Sequence, residues 1–150
     1  MFLSIKINRR RDRIILLLSW VLGFFWLYCF FIKVLWYQQW HSEMMNQIFS
    51  KQLATFLYYL LPICFLALGI LFVKSPYKTI ASYLSLLFWL PFTCYISLVK
   101  MQYFKRIPCS CAAIIPGISW NTQLYINLTG LLLTLLLIYL QQQERRFAGH

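Results

Sequence analysis

The sequence predicts an all-α integral membrane protein, a four-helix bundle forming a single transmembrane domain over residues 1–150. Three observations carry that prediction. Of the 150 residues 61% are hydrophobic and 11% charged, against about 25% charged in soluble chains. Four apolar runs are each long enough for the about 20 helical residues that cross a hydrocarbon core about 30 Å thick. The runs are apolar on every face, as from Leu131 to Leu137, where only Thr134 interrupts the leucines; spanning β-strands would instead alternate over about 10 residues. An aromatic content of 19% excludes a disordered chain, and five Gly and five Cys exclude collagen-like and disulfide-stapled classes.

In chain order, the first span covers about 14–37, from Ile14 through Ile32 and past Lys33 to Tyr37. Its basic start resembles a signal peptide, but the apolar part is too long and bulky and no small-x-small site follows, so it is expected to stay attached. Tyr28 before Cys29 is also too large for lipoprotein processing. The second span covers about 53–73 and the third about 79–99, joined by the tight turn Lys74-Ser75-Pro76-Tyr77-Lys78. Pro62 and Pro91 each remove a backbone donor and are expected to kink these helices and open room inside. An outer loop, 100–121, carries Cys109-Ser110-Cys111. The fourth span covers about 122–140, and Gln141 to His150 reads as a solvated polar end.

Fourteen Lys and Arg against three acids give a net charge of +11. In a chain of this class the partner for basic flanks is the lipid bilayer with its anionic headgroups, and no nucleic acid is expected. With both termini inside, the cytoplasmic side holds nine basic residues: Lys6, Arg9, Arg10, Arg11, Arg13, Lys74, Lys78, Arg145 and Arg146. The other side holds five, Lys33, Lys51, Lys100, Lys105 and Arg106. The bias predicts an N-in/C-in topology with the cysteine loop outside.

Among the cysteines only Cys109 and Cys111 lie in a loop. One residue between two thiols permits a strained, exchangeable disulfide or a two-thiolate metal clip, and two ordinary loop cysteines remain the alternative. Lys105 and Arg106 just upstream would stabilise a thiolate. Cys29 and Cys94 fall in the outer halves of their spans and are read as structural rather than as a second pair, and Cys64 as packing. Lys33 is the one charge embedded in an apolar stretch and is expected to snorkel to the interface, with steering of thiolates or of a quinone oxygen as its second reading. Asn127 is expected to bond across helices or to backbone freed by a proline, as glue between spans. Trp36, Tyr37, Trp40, Tyr103 and Trp120 read as an interfacial belt. His41 and Glu43 are the outer loop's base and acid, but no nucleophile pairs with them. Phosphate-binding glycine loops and zinc spacings are absent from the sequence, so no metal site is assigned.

Pro108-Cys109-Ser110-Cys111, followed by Trp120, Leu124 and Asn127, resembles the Pro-Cys-Gly/Ser-Cys … Trp-x-x-His-Leu-x-x-Asn segment of the methylamine-utilisation MauE proteins, within the wider MauE/DoxX membrane family. Tyr28 to Lys33 and the aromatic continuation Trp36 to Phe49 resemble that family's first span and outer amphipathic segment. Leu61-Pro62-Ile63 and Phe92-Thr93 with Tyr95 are similar to its second and third spans. The chain departs from the pattern at Ala112-Ala113, where small glycine-like residues are usual, at Gln123 in place of the His, and at Phe65 in place of an acid.

The resemblance implies a bacterial inner-membrane protein associated with disulfide chemistry outside the cytoplasm, working beside a periplasmic thioredoxin-like partner. The leading expectation is therefore a thiol–disulfide oxidoreductase with Cys109 and Cys111 as the redox pair and Lys105, Arg106, Lys33, Trp120 and Asn127 in support. A quinone is the cofactor compatible with a kinked aromatic bundle, although no residue pattern marks a site for it. Three rivals stand beside this: a non-catalytic scaffold for a partner complex; a Cu(I)-handling protein using the two thiolates with Met44, Met45 and Met101; and a small transporter, for which the spans supply too few polar groups.

Overall fold

The computed structural model describes residues 2–48, 50–103 and 118–148. Its elements are α1 (Phe2–Leu35), α2 (Tyr37–Met45), α3 (Lys51–Val73), a 3₁₀ turn at Ser75–Tyr77, α4 (Lys78–Lys100) and α5 (Trp120–Ala148). Four helical stretches, Arg10–Leu35, Lys51–Val73, Lys78–Lys100 and Trp120–Arg146, are long and apolar enough to cross a membrane. The all-α membrane bundle expected from the sequence is the fold.

Three helix ends differ from expectation. α1 begins at Phe2 instead of near Ile14 and stops at Leu35, and α5 continues past Leu140 to Ala148. Arg, Gln and Glu are good helix formers, so a helix continues through them where the apolar run has ended. The 34 residues of α1 therefore measure roughly 51 Å, longer than the hydrocarbon core.

The connections end their helices by local chemistry. Ser50 caps α3 by accepting from the Leu53 N–H at 3.3 Å, and Ser119 does the same for Thr122 at the start of α5. α4 ends in a Schellman motif: the Tyr103 and Gln102 N–H groups donate to the Leu98 and Val99 carbonyls, and Gln102 takes the left-handed position with φ 54°.

Two glycine seams bring helices together. A β-carbon on Gly69 would lie 2.5 Å from Leu27 Cγ, and one on Gly23 would lie 3.0 Å from Phe72 Cβ, so α1 and α3 approach closely. On the other side the Trp89 ring fills the notch at Gly130, so α4 and α5 approach closely too. Small residues allow this contact where lipid offers no hydrophobic drive for helix association.

Between the seams sits an aromatic core. Trp26 is fully buried, with ring centroids 5.2 Å from Phe65 and 5.0 Å from Trp89. Its indole N–H donates to Ser85 Oγ at 3.0 Å, so its polar edge is satisfied away from water. α3 and α4 run unbroken through Pro62 and Pro91. Where the prolines point to an opened interior, Phe65, Phe88, Trp89 and Phe92 crowd this level.

Candidate functional site

Because α1 and α4 run one way and α3 and α5 the other, the C-termini of α1 and α4 and the N-termini of α3 and α5 share one end of the bundle. α2 lies across that end. It is amphipathic, burying Trp40, Glu43 and Met44. Its Trp40 indole N–H donates to the Tyr58 carbonyl at 3.4 Å. That carbonyl is the one Pro62, four residues on, cannot engage, so the proline supplies the acceptor that seats α2.

Lys33 is 3% exposed, with its ammonium 3.6 Å from the centroid of the Trp40 ring. It does not snorkel: α2 folds over it, and the ring face holds the charge. Trp40 likewise belongs to the core, whereas Trp36 and Tyr37 remain exposed as the belt expectation has it. Glu43, 6% exposed, lies within the field of Lys33 and takes a hydrogen bond from Gln39. Burial nevertheless holds its carboxyl above the ordinary carboxylate range, against the pull of Gln39 and Lys33. His41 and Glu43 are on a helix, two positions apart, and so face opposite ways: His41 is exposed, edge-on to Tyr58.

A hydrogen-bonded chain then crosses to α4. Gln47 Nε2 donates to the Glu43 carbonyl at 3.1 Å, and the Tyr95 hydroxyl donates to Gln47 Oε1 at 2.6 Å. Trp120, at the start of α5, stands edge-on to Tyr95 with ring centroids 6.5 Å apart. On the next turns of α5, Gln123 and Asn127 are fully buried. Asn127 Nδ2 donates to the Gln123 carbonyl at 2.8 Å, on its own helix and not across helices as expected, because a short amide reaches the carbonyl four residues back most easily. The Gln123 amide, Asn127 Oδ1 and Glu43 Oε1 have no hydrogen-bond partner among the described residues.

A family comparison completes the assignment. The model of the methylamine utilisation protein MauE matches residues 11–140, nearly the whole chain. The chain belongs to the MauE family. No curated protein and no solved structure matches it. For a MauE-family chain, four helices of spanning length make this a multi-pass membrane protein in contact with the lipid bilayer.

Of the residues singled out from the sequence, Lys33 and Trp120 lie at the α2 end, one against Trp40 and the other against Tyr95, and Asn127 is buried two turns along α5. Lys105, Arg106, Cys109 and Cys111 lie outside the described residues. Cys29, Cys64 and Cys94 are free thiols; Cys29 points inward and Cys94 is exposed, so the two do not pair. Of the methionines weighed for Cu(I), Met44 is in the core and Met101 is exposed. Sequence reading missed Gln47, Tyr95 and Gln123 as members of the site. Only Gln123 carried a signal, its spacing of four from Asn127, which puts both on one helical face.

Proposed function

We propose that this MauE-family protein is a thiol–disulfide redox protein of the bacterial inner membrane, in which Cys109 and Cys111 exchange with a thioredoxin-like partner outside the cytoplasm. The observation that carries the reading is where the intervening segment begins and ends: α4 delivers it, and α5 takes it up, at the end where Lys33, Glu43, Gln47 and Gln123 are buried and Tyr95 bonds Gln47. The basic pair Lys105 and Arg106 supports it by favouring a thiolate. Exchange conserves electrons, since two thiols on one protein become a disulfide as the partner's disulfide becomes two thiols.

In the test, Cys109→Ser should leave a Cys111 thiol that accumulates as a mixed disulfide with the partner, identifiable after acid quench. If both thiols are free in the wild type and no mixed disulfide forms in either single variant, the redox reading is wrong. The non-catalytic scaffold then takes its place, a reading favoured by Phe65, which fills the position of a family acid with an aromatic ring packed 5.2 Å from Trp26.

The same reading places both termini in the cytoplasm, supported by the excess of basic residues at the end holding Lys74, Lys78, Arg145 and Arg146. A membrane-impermeant thiol reagent should label Cys109 or Cys111 in intact spheroplasts. Labelling that appears only after lysis would reverse the orientation.

A further inference from the structure

The chain has three acids. Asp12 and Glu144 are exposed, and Glu43 alone is buried. A carboxylate can accept at about four lone-pair positions, yet Glu43 receives Gln39 while its Oε1 has no hydrogen-bond partner among the described residues. A buried charge left so poorly solvated is relieved most directly by taking up a proton. Lys33 opposes this from α1, its ammonium fixed over the Trp40 ring. The other titratable groups on the packed elements are weaker influences: His41 faces away on α2, Tyr58 on α3 stacks on Trp40, and Tyr95 on α4 bonds Gln47, which donates to the Glu43 backbone carbonyl and not to the carboxyl.

We propose that Glu43, buried under α2 with Oε1 lacking a hydrogen-bond partner among the described residues, is a proton-binding site, with Lys33 over the Trp40 ring as its positioning charge. In thiol–disulfide exchange the leaving thiolate takes up a proton and the attacking thiol releases one, so a carboxyl that holds its proton at this end can give it to the first and regain it from the second. This use of the proton rests on the proposed redox function; the binding of the proton does not.

The folded state holds this proton more tightly than the unfolded chain does. Its contribution to stability is therefore full below the ordinary carboxylate range and is lost as pH rises through the raised value. Above that value Glu43→Gln should unfold at a higher temperature than the wild type.

The decisive experiment is an infrared pH titration of the full chain in lipid nanodiscs, following the carbonyl stretch of protonated carboxyls. A step above the ordinary carboxylate range is expected, and it should be absent in Glu43→Gln. Lys33→Met should move that step up by about one unit or more, as loss of a nearby opposite charge does. Absence of such a step in the wild type, a step that survives in Glu43→Gln, or an unmoved step in Lys33→Met would overturn the proposal. Should Glu43→Gln fail to accumulate, the wild-type and Lys33→Met titrations decide it. The raised step without any mixed disulfide at Cys111 would sink the redox reading and leave the proton site standing.

Discussion

Gly130→Ala is expected to be the most damaging single-methyl change in the bundle. The added carbon would lie 2.3 to 2.6 Å from three atoms of the Trp89 ring, well inside contact distance. That ring cannot swing aside, because it is fully buried between Phe25, 5.5 Å away, and Trp26, 5.0 Å away. Overpacking costs about 1–3 kcal/mol where neighbours can adjust; here the loss should reach about 3 kcal/mol or more, since either α5 must retreat or the aromatic core must be rebuilt. Gly69→Ala meets Leu27 Cγ and Cδ2 at 2.5 and 2.6 Å and the Gly23 carbonyl oxygen at 3.3 Å; the leucine can change rotamer and the backbone contact is the looser one, so it should cost less. Thermal unfolding in detergent, followed by tryptophan near-ultraviolet dichroism, ranks the variants. Trp89→Phe should recover part of the loss in the Gly130→Ala background, and equal midpoints for Gly69→Ala and Gly130→Ala would refute the wedge.

Trp40→Ala should follow closely, at about 3–5 kcal/mol, the usual cost of deleting a buried tryptophan. It removes the ring face under the Lys33 ammonium and the donor to the Tyr58 carbonyl together. The two roles separate in Trp40→Phe, which keeps a ring and loses the N–H, at about 1–2 kcal/mol for the stranded carbonyl. Pro62→Ala restores a backbone N–H four residues after Tyr58, so the carbonyl regains an acceptor role within its own helix. In that background Trp40→Phe should cost about 1 kcal/mol less, a coupling that a double-mutant cycle reads directly. Strict additivity would show that Trp40 seats α2 without help from the proline.

The four spans were legible because lipid forbids unsatisfied backbone, and uniform apolarity over about 20 residues has one structural solution. Helix ends were less so: Arg9 to Arg13 and Gln141 to Arg146 end the apolar runs without ending the helices. Facing was hardest to read. In water, periodicity separates an inward residue from an outward one, but a helix apolar all round gives no such contrast. Nothing in the residue types distinguishes buried Trp40 from exposed Trp36, or buried Lys33 from exposed Lys51. What decided them was α2 folding back across the bundle end, a tertiary event. Polar residues within spans were the exception, since lipid drives them inward, and Asn127 faces in as its chemistry requires.

The two glycine seams divide the molecule at the turn Ser75–Tyr77. Each half is a helical hairpin with its own close-packed axis: α1 against α3, and α4 against α5. Both hairpins point the same way, and α2 joins the helices of the first at the end where α4 stops and α5 starts in the second. The first hairpin is complete at Val73, so it can zip shut in the membrane while the second is still being synthesised. The nascent chain thus presents a finished half, with Lys33 already covered, as the surface on which Trp89 and Gly130 later close.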